Sequence, residues 1–188
     1  VTRIVAGRYG GRRLATPAGR DTRPTSDRVR EALFSTLETL VDLSGARFLD
    51  LYAGSGAVGL EAASRGAAHV LLVESERHAA RAARANITAL GATSVASIAT
   101  ARVASALAGG PPGGQPYDVV FADPPYAASE SEIEAVLQAL LRAGWLAPGA
   151  VLIVERSTRS PALTWVPGIT PERCREYGET TLWYGRHS

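Results

Sequence analysis

Apolar and polar positions change period several times along this chain, and the changes mark its elements. Val29, Leu33, Leu37, Leu40 and Val41 recur at helical spacing, after Thr25 or Ser26 as an N-cap, which predicts a helix running to about Leu43. Short apolar runs then alternate with helical patterns. Arg47–Tyr52 reads as a first strand, and Ala57 to about Arg65 as a helix stopped by Gly66. His69–Glu74 is a second strand, and Glu76–Leu90 a helix stopped by Gly91. Val95–Ala101 is a third strand, followed by a short helix and the flexible connection 109–116. Tyr117 opens a fourth strand. Ser129 and Glu132 form a capping-box pattern before a helix with Ile133, Val136, Leu137, Leu140 and Leu141 on one stripe. Ala150–Glu155 is a fifth strand, and 173–177 and 180–185 are two closing antiparallel strands. Ahead of all this, residues 3–15 read as a hairpin around Gly7 and Gly10-Gly11. The expected fold is α/β: a doubly wound, mostly parallel, seven-stranded Rossmann-like sheet with a small N-terminal β-hairpin extension. The expected organisation is a basic arm over residues 1–22 and one domain over 23–188.

Composition narrows the class. Hydrophobic residues make up 46% and charged residues 20% of the 188, as in a globular chain. No apolar run approaches the roughly 20 residues that span a bilayer, so no membrane segment is expected. The N-terminus lacks the apolar stretch of a signal peptide. A single cysteine, Cys174, forms no internal disulfide, suits a reducing cytoplasm and is expected to be a small core residue. His69, His78 and His187 are scattered, with His69 at a strand edge and His187 in a tail, so no zinc site is expected. A monomer is the default expectation.

Charge is unevenly spread. Residues 1–30 carry eight Arg against two acids, a net of +6, whereas residues 31–188 carry 12 Arg against 16 acids, a net of −4. A basic arm on a mildly acidic body suggests a polyanion partner, with Arg3, Arg8, Arg12 and Arg13 as candidate nucleic-acid contacts. The arm lacks the chemical motifs described next, so its removal is expected to leave a folded domain. Arg77, Arg81 and Arg84 share one side of a helix and read as a solvated outer face.

The chemistry concentrates at strand ends. The fourth strand runs into Asp123-Pro124-Pro125-Tyr126. Two prolines stiffen the turn and remove two N–H donors, so it shows oxygens rather than donors. The Asp123 carboxylate and Pro124 carbonyl can orient a target amine, and Tyr126 offers a face on which a base stacks. After strand one, Asp50 leads into Tyr52, Ala53, Gly54, Ser55 and Gly56, and Gly54, Gly56 and Gly59 match G-x-G-x-x-G. That spacing does not separate a nicotinamide cofactor from S-adenosylmethionine (SAM). Glu74, ending strand two, can accept both ribose hydroxyls of either. Asp50 favours SAM: a carboxylate before the loop pairs with an ammonium and repels a pyrophosphate. In a doubly wound sheet ligands sit beyond the carboxyl ends of the strands, at the switch between strands one and four. Asp50 and Asp123 end those strands, so cofactor head and amine-binding turn are expected to be neighbours.

Asp123-Pro124-Pro125-Tyr126 resembles the acceptor motif of SAM-dependent amino-methyltransferases. Together with Arg23–Phe34, Leu49–Gly56 and the early Gly7 and Gly11-Arg12-Arg13-Leu14, it makes the chain similar to the RsmD family from about residue 3 to 185. These enzymes methylate the exocyclic amine (N2) of a guanine in small-subunit (16S) ribosomal RNA. The resemblance implies SAM as methyl donor, no metal, and ribosomal RNA or the small subunit as partner. It places Thr25 and Arg28 near the methionine end of SAM. It also implies direct transfer to a splayed guanine stacked on Tyr126, with Asp123 and the Pro124 carbonyl holding the amine. One departure stands out: the family carries Asp or Asn after strand three to accept from the adenine amine, and here Arg102 occupies that place. Arg cannot accept a hydrogen bond; either backbone groups near Arg102 take the role or cofactor affinity is low. An acid near Glu155 is also a family feature, reading either as a guanine acceptor or as the end of strand five. Three other functions compete: a DNA adenine or cytosine amino-methyltransferase, a nicotinamide-dependent oxidoreductase and a non-catalytic RNA-binding module.

Overall fold

The computed structural model describes residues 2–17 and 26–188. Helix α1 (Asp27–Leu40) is capped by the Ser26 side chain, which accepts from the Val29 N–H. It ends at Leu40 rather than Leu43, because Val41 turns to extended backbone. Strand β1 (Arg47–Leu51) leads to α2 (Ala57–Ser64), β2 (His69–Glu74), α3 (Arg77–Ala89), β3 (Ala96–Thr100) and the one-and-a-half-turn α4 (Val103–Ala108). After a 3₁₀ turn at Pro112–Gly114 come β4 (Tyr117–Ala122), α5 (Glu130–Arg142), β5 (Leu146–Ser157), β6 (Ile169–Tyr177) and β7 (Thr180–His187).

The seven strands form one sheet in the order β3-β2-β1-β4-β5-β7-β6. The first five are parallel, and β7 pairs antiparallel with both β5 and β6. The doubly wound, mostly parallel fold read from the pattern is the fold observed. Its last strands are longer than their apolar cores suggest. Strand β5 begins at Leu146 and crosses a register shift against β4, and β6 begins at Ile169 and tolerates Pro171 through an irregularity before Arg173. Proline is accommodated there because β6 is an edge strand. The same position corrects the reading of Cys174, which is exposed on that edge rather than in the core. His187 is the last residue of β7, paired with Ile169, rather than part of a tail.

Strand residues alternate between two apolar layers, as parallel strands covered on both faces must. Phe48, Val70, Leu72, Val119, Phe121, Val151 and Ile153 pack under α1, α2 and α3. Leu49, Leu51, Leu71, Val73, Val120, Leu152 and Val154 pack under α4 and α5, with Trp145 among them. Fully burying each such side chain contributes about 1.5–3 kcal/mol.

The N-terminal ribbon joins the first layer. Its strands pair through one bridge, Arg3 to Arg13, and Ile4 N–H donates to the Arg12 carbonyl at 2.9 Å. Ile4, Tyr9 and Leu14 are buried in the same core as Phe48 and Leu60. Glu61 of α2, itself fully buried, fastens the ribbon: its oxygens accept from the Val5 and Ala6 N–H groups at 2.8 and 3.1 Å and from Arg30 and Arg65 at 3.3 and 2.9 Å. Arg30 also donates to the Arg3 carbonyl. At the bend, Gly7 has φ +86° and lies so close to α2 that a Cβ would stand 2.2 Å from the Ser64 carbonyl oxygen. The ribbon is thus built into the domain, and its removal would open the core. The boundary expected at residue 22 falls outside the described residues.

Candidate active site

The reversal of strand order lies between β1 and β4, and the two chemical segments leave the sheet there side by side. Leu51 pairs with Ala122, and the Asp123 N–H donates to the Leu51 carbonyl at 3.3 Å. The turn after β1 is tight. Tyr52 has φ +60°, the left-handed region that costs a non-glycine residue about 1 kcal/mol or more. The Ala53 N–H returns to the Val73 carbonyl at 3.0 Å. Gly56, at φ +87°, lies in the region that strains any side chain, and a Cβ there would stand 2.8 Å from Leu72 Cδ1, which would have to move.

Two carboxylates hold this loop. Glu74 Oε1 accepts from the Gly54 N–H at 2.8 Å and Oε2 from the Glu76 N–H at 2.7 Å. Each oxygen keeps a second lone pair, so the half-buried group can still accept from a ligand. Asp50 has a partner that the linear motif does not disclose. Strand alternation puts it on the same face as Phe48, beneath α2, where it is 1% exposed and its Oδ2 accepts from the Gly59 N–H at 2.8 Å. Burial raises its pKa well above the carboxylate range. The Gly59 bond opposes that rise, and the charges of Glu74 and Glu155 add to it.

Asp123 is partly buried, and Pro124 behind it is buried. Burial likewise lifts the Asp123 pKa well above the ordinary range, reinforced by Glu155 and Asp50 and opposed by Arg156. Tyr126 is the opposite case. It is 76% exposed, the one large hydrophobic side chain so exposed among the described residues. Its ring is free to receive a flat ligand.

An open cleft of about 800 Å³ runs from this point between α4 and α5, lined by Tyr52, Glu74, Arg102, Val103, Pro125 and Glu132 among others. Of the predicted cofactor residues, Tyr52, Glu74 and Arg102 line its wall, and Ala53, Gly54, Ser55 and Gly56 form the loop pinned to Glu74. Arg102 is the exposed N-cap of α4 and makes no side-chain capping bond. Arg28 is exposed on the first turn of α1, and Thr25 lies outside the described residues. Arg3, Arg8, Arg12 and Arg13 are all exposed on the ribbon. The Arg8 guanidinium sits 5.5 Å from the Tyr9 ring centroid, and Arg12 donates to the Ala89 carbonyl at 2.7 Å.

Sequence reasoning missed Arg156. Its guanidinium donates to the Pro125 and Ala128 carbonyls at 3.3 and 3.2 Å, bridging the acceptor turn to the end of β5. The only linear hint is its place beside Glu155, just past the apolar run of β5. Among the described residues no group of three or more His, Cys, Asp or Glu is placed to hold a metal ion, and no helix is long and apolar enough to cross a membrane.

Comparison with known proteins places the fold in a family. Residues 2–186 match the model of the family described as conserved hypothetical protein 95. The chain is 39% identical to ribosomal RNA small subunit methyltransferase D of Escherichia coli over 153 residues, 81% of this chain and 73% of that protein. It is 31% identical to a putative rRNA methyltransferase of Bacillus subtilis, with 95% of each covered. The solved structure of a putative methyltransferase from Escherichia coli superposes with a TM-score of 0.86 at 32% identity, covering all of this chain and 98% of that one. Matched over residues 2–186 and alike in sequence and sheet to these relatives, the chain belongs to the conserved hypothetical protein 95 family, among RsmD-like and related methyltransferases of the SAM-dependent fold.

Proposed function

We propose that this protein transfers a methyl group from SAM to the exocyclic N2 amine of a guanine in small-subunit ribosomal RNA. The observation that carries this reading is the juxtaposition at the switch point, where Leu51 pairs with Ala122 and Asp123 bonds back to Leu51. The residues present fit the cofactor. Glu74 is fixed by two backbone N–H groups yet retains acceptor capacity at the cleft wall, and the cleft falls in the size range of cofactor sites. Glu74 would take the ribose hydroxyls, the Tyr52–Gly56 backbone would cradle the amino-acid portion, and Asp50 would place a carboxyl beneath the loop, ionised once the ligand's ammonium is near. The ammonium at that end of SAM would also lower the pKa of Asp50. Bound SAM supplies an electrophilic methyl on a sulfonium, so no nucleophilic side chain is required.

The chain contributes position. Asp123 and the Pro124 carbonyl accept from the amine and aim its lone pair, while Tyr126 takes the base on its exposed ring. Stacking of this kind is worth about 1–3 kcal/mol per base, comparable with the few kcal/mol of unstacking. Arg156 holds the turn by two of its carbonyls. The arginines of the ribbon would contact phosphates and set register. Identity to relatives named as ribosomal RNA methyltransferases supports the choice of RNA over DNA.

The test is transfer of radiolabelled methyl from SAM to small ribosomal subunits, naked ribosomal RNA and DNA in parallel, followed by nucleoside analysis. The expected product is N2-methylguanosine from subunits or RNA. Label in DNA alone, or in another nucleoside, would overturn the reading.

A further inference from the structure

Asn86 lies on α3, three residues before its end, and is 3% exposed. Its amide is fully engaged, and with backbone groups from two distant segments. Nδ2 donates to the Ser55 carbonyl at 2.9 Å, in the middle of the glycine loop. Nδ2 also donates to the Ala15 carbonyl at 3.0 Å, and Oδ1 accepts from the Ala15 N–H at 2.7 Å, so both polar groups of the ribbon's exit residue are held. One buried side chain therefore joins the cofactor loop to the basic ribbon. A buried amide that loses a partner leaves an unsatisfied polar group away from water, which destabilises the fold. A shift of either segment is thus resisted unless the other follows. The neighbouring fastening reinforces this: Glu61 ties Val5 and Ala6 to α2, the helix that starts at the loop's last glycine.

From this we infer that Asn86 is a positioning residue that couples the cofactor loop to the RNA-binding ribbon, so that each ligand tightens binding of the other. The inference rests on the functional reading above, in which the loop takes SAM and the ribbon takes RNA. Ordering one end of the junction prepares the other, and such coupling is reciprocal.

The experiment is calorimetric titration of S-adenosylhomocysteine into the full chain, alone and with saturating small-subunit ribosomal RNA. The ratio of the two affinities is the readout. For the native protein RNA should raise the affinity about fivefold or more. Asn86→Asp keeps the acceptor for the Ala15 N–H but replaces both donors, and its ratio should fall to within about twofold of one. Ala15→Pro, at an exposed residue, removes the N–H that Asn86 Oδ1 accepts while keeping the Asn86 side chain and its bond to Ser55, so it tests the same link where Asn86→Asp fails to fold. It should reduce the ratio while leaving affinity without RNA unchanged. A purely structural amide would lower the melting temperature of the variants and leave the ratio as in the native protein, and that result would overturn the inference. A native ratio of one, with both ligands bound, would overturn it too while leaving the methyltransferase reading intact. No binding of S-adenosylhomocysteine to the native protein would overturn both.

Discussion

The basic ribbon and the acceptor turn meet the domain in opposite ways. The ribbon is small, yet it is fastened from inside: three apolar side chains enter the core, and Glu61, Ser64 and Asn86 take its backbone N–H groups with buried or nearly buried oxygens. The acceptor turn is fastened from outside, by two prolines in its own backbone and by Arg156 reaching its carbonyls from β5. Its most informative side chain, Tyr126, is left in solvent. Under the proposed function the ribbon would set register against a large polyanion, which requires rigidity relative to the sheet. The turn would receive a flat base, which requires an open face. Buried polar bonds deliver the first, and proline stiffness delivers the second without covering the ring.

That contrast can be broken most severely at Glu61. Glu61→Ala removes the buried carboxylate from Arg30, which keeps the more exposed Asp27, and orphans two ribbon N–H groups. Loss of one partner of a buried pair typically costs about 3–5 kcal/mol, read by chemical denaturation. A stability change below about 1 kcal/mol would show that the ribbon is not built into the core as described.

At the other region, Asp123→Ala should lower kcat by about 100-fold or more, as loss of a reacting-group partner does in other sites, with S-adenosylhomocysteine affinity nearly intact. Wild-type turnover would remove Asp123 from the acceptor site. Its titration adds a second signature. A carboxyl whose folded pKa lies above its unfolded value contributes stability that is fully present below the unfolded pKa, about 3.9, and is lost as pH rises through the folded pKa. Asp50 and Asp123 both shift in this direction. The unliganded protein should therefore lose melting temperature as pH rises from about 4 toward neutral, and Asp123→Asn should flatten the trend.

A smaller effect separates the exposed ring from its support. Tyr126→Ala should weaken RNA-dependent turnover by about 1–3 kcal/mol through lost stacking while leaving the melting temperature unchanged. Equal turnover in mutant and native protein would show that the base does not use this face. Smallest is the change at Arg13, exposed on the ribbon. Arg13→Ala should reduce the slope of log binding constant against log salt by about 0.7 if it meets a phosphate on a single strand. An unaltered slope would take Arg13 out of the contact set.

What the sequence determined by itself is what rests on local periodicity and short motifs. Alternating apolar runs and helical stripes define a doubly wound sheet, and that topology puts the ends of β1 and β4 together, with Asp50, the glycine loop, Glu74 and Asp123–Tyr126 at the carboxyl ends of its strands. The ends of elements were less legible. Strand β5 reaches back across an irregularity at Pro148-Gly149 because Leu146 pairs with Tyr117, and β6 runs through Pro171 because it pairs with Gly185. Only the tertiary structure decided how the site is held. The bonds from Glu61 to Val5, from Ser64 to Tyr9 and from Asn86 to Ala15 join residues 56, 55 and 71 positions apart, and such pairs leave no period in a linear pattern. The same holds for Arg156 on the acceptor turn, for Asp50 turned beneath α2, and for Cys174, whose exposure follows from β6 lying at the sheet's edge. Local chemistry names the groups that can react; packing between distant segments selects which of them are buried, bonded and fixed in place.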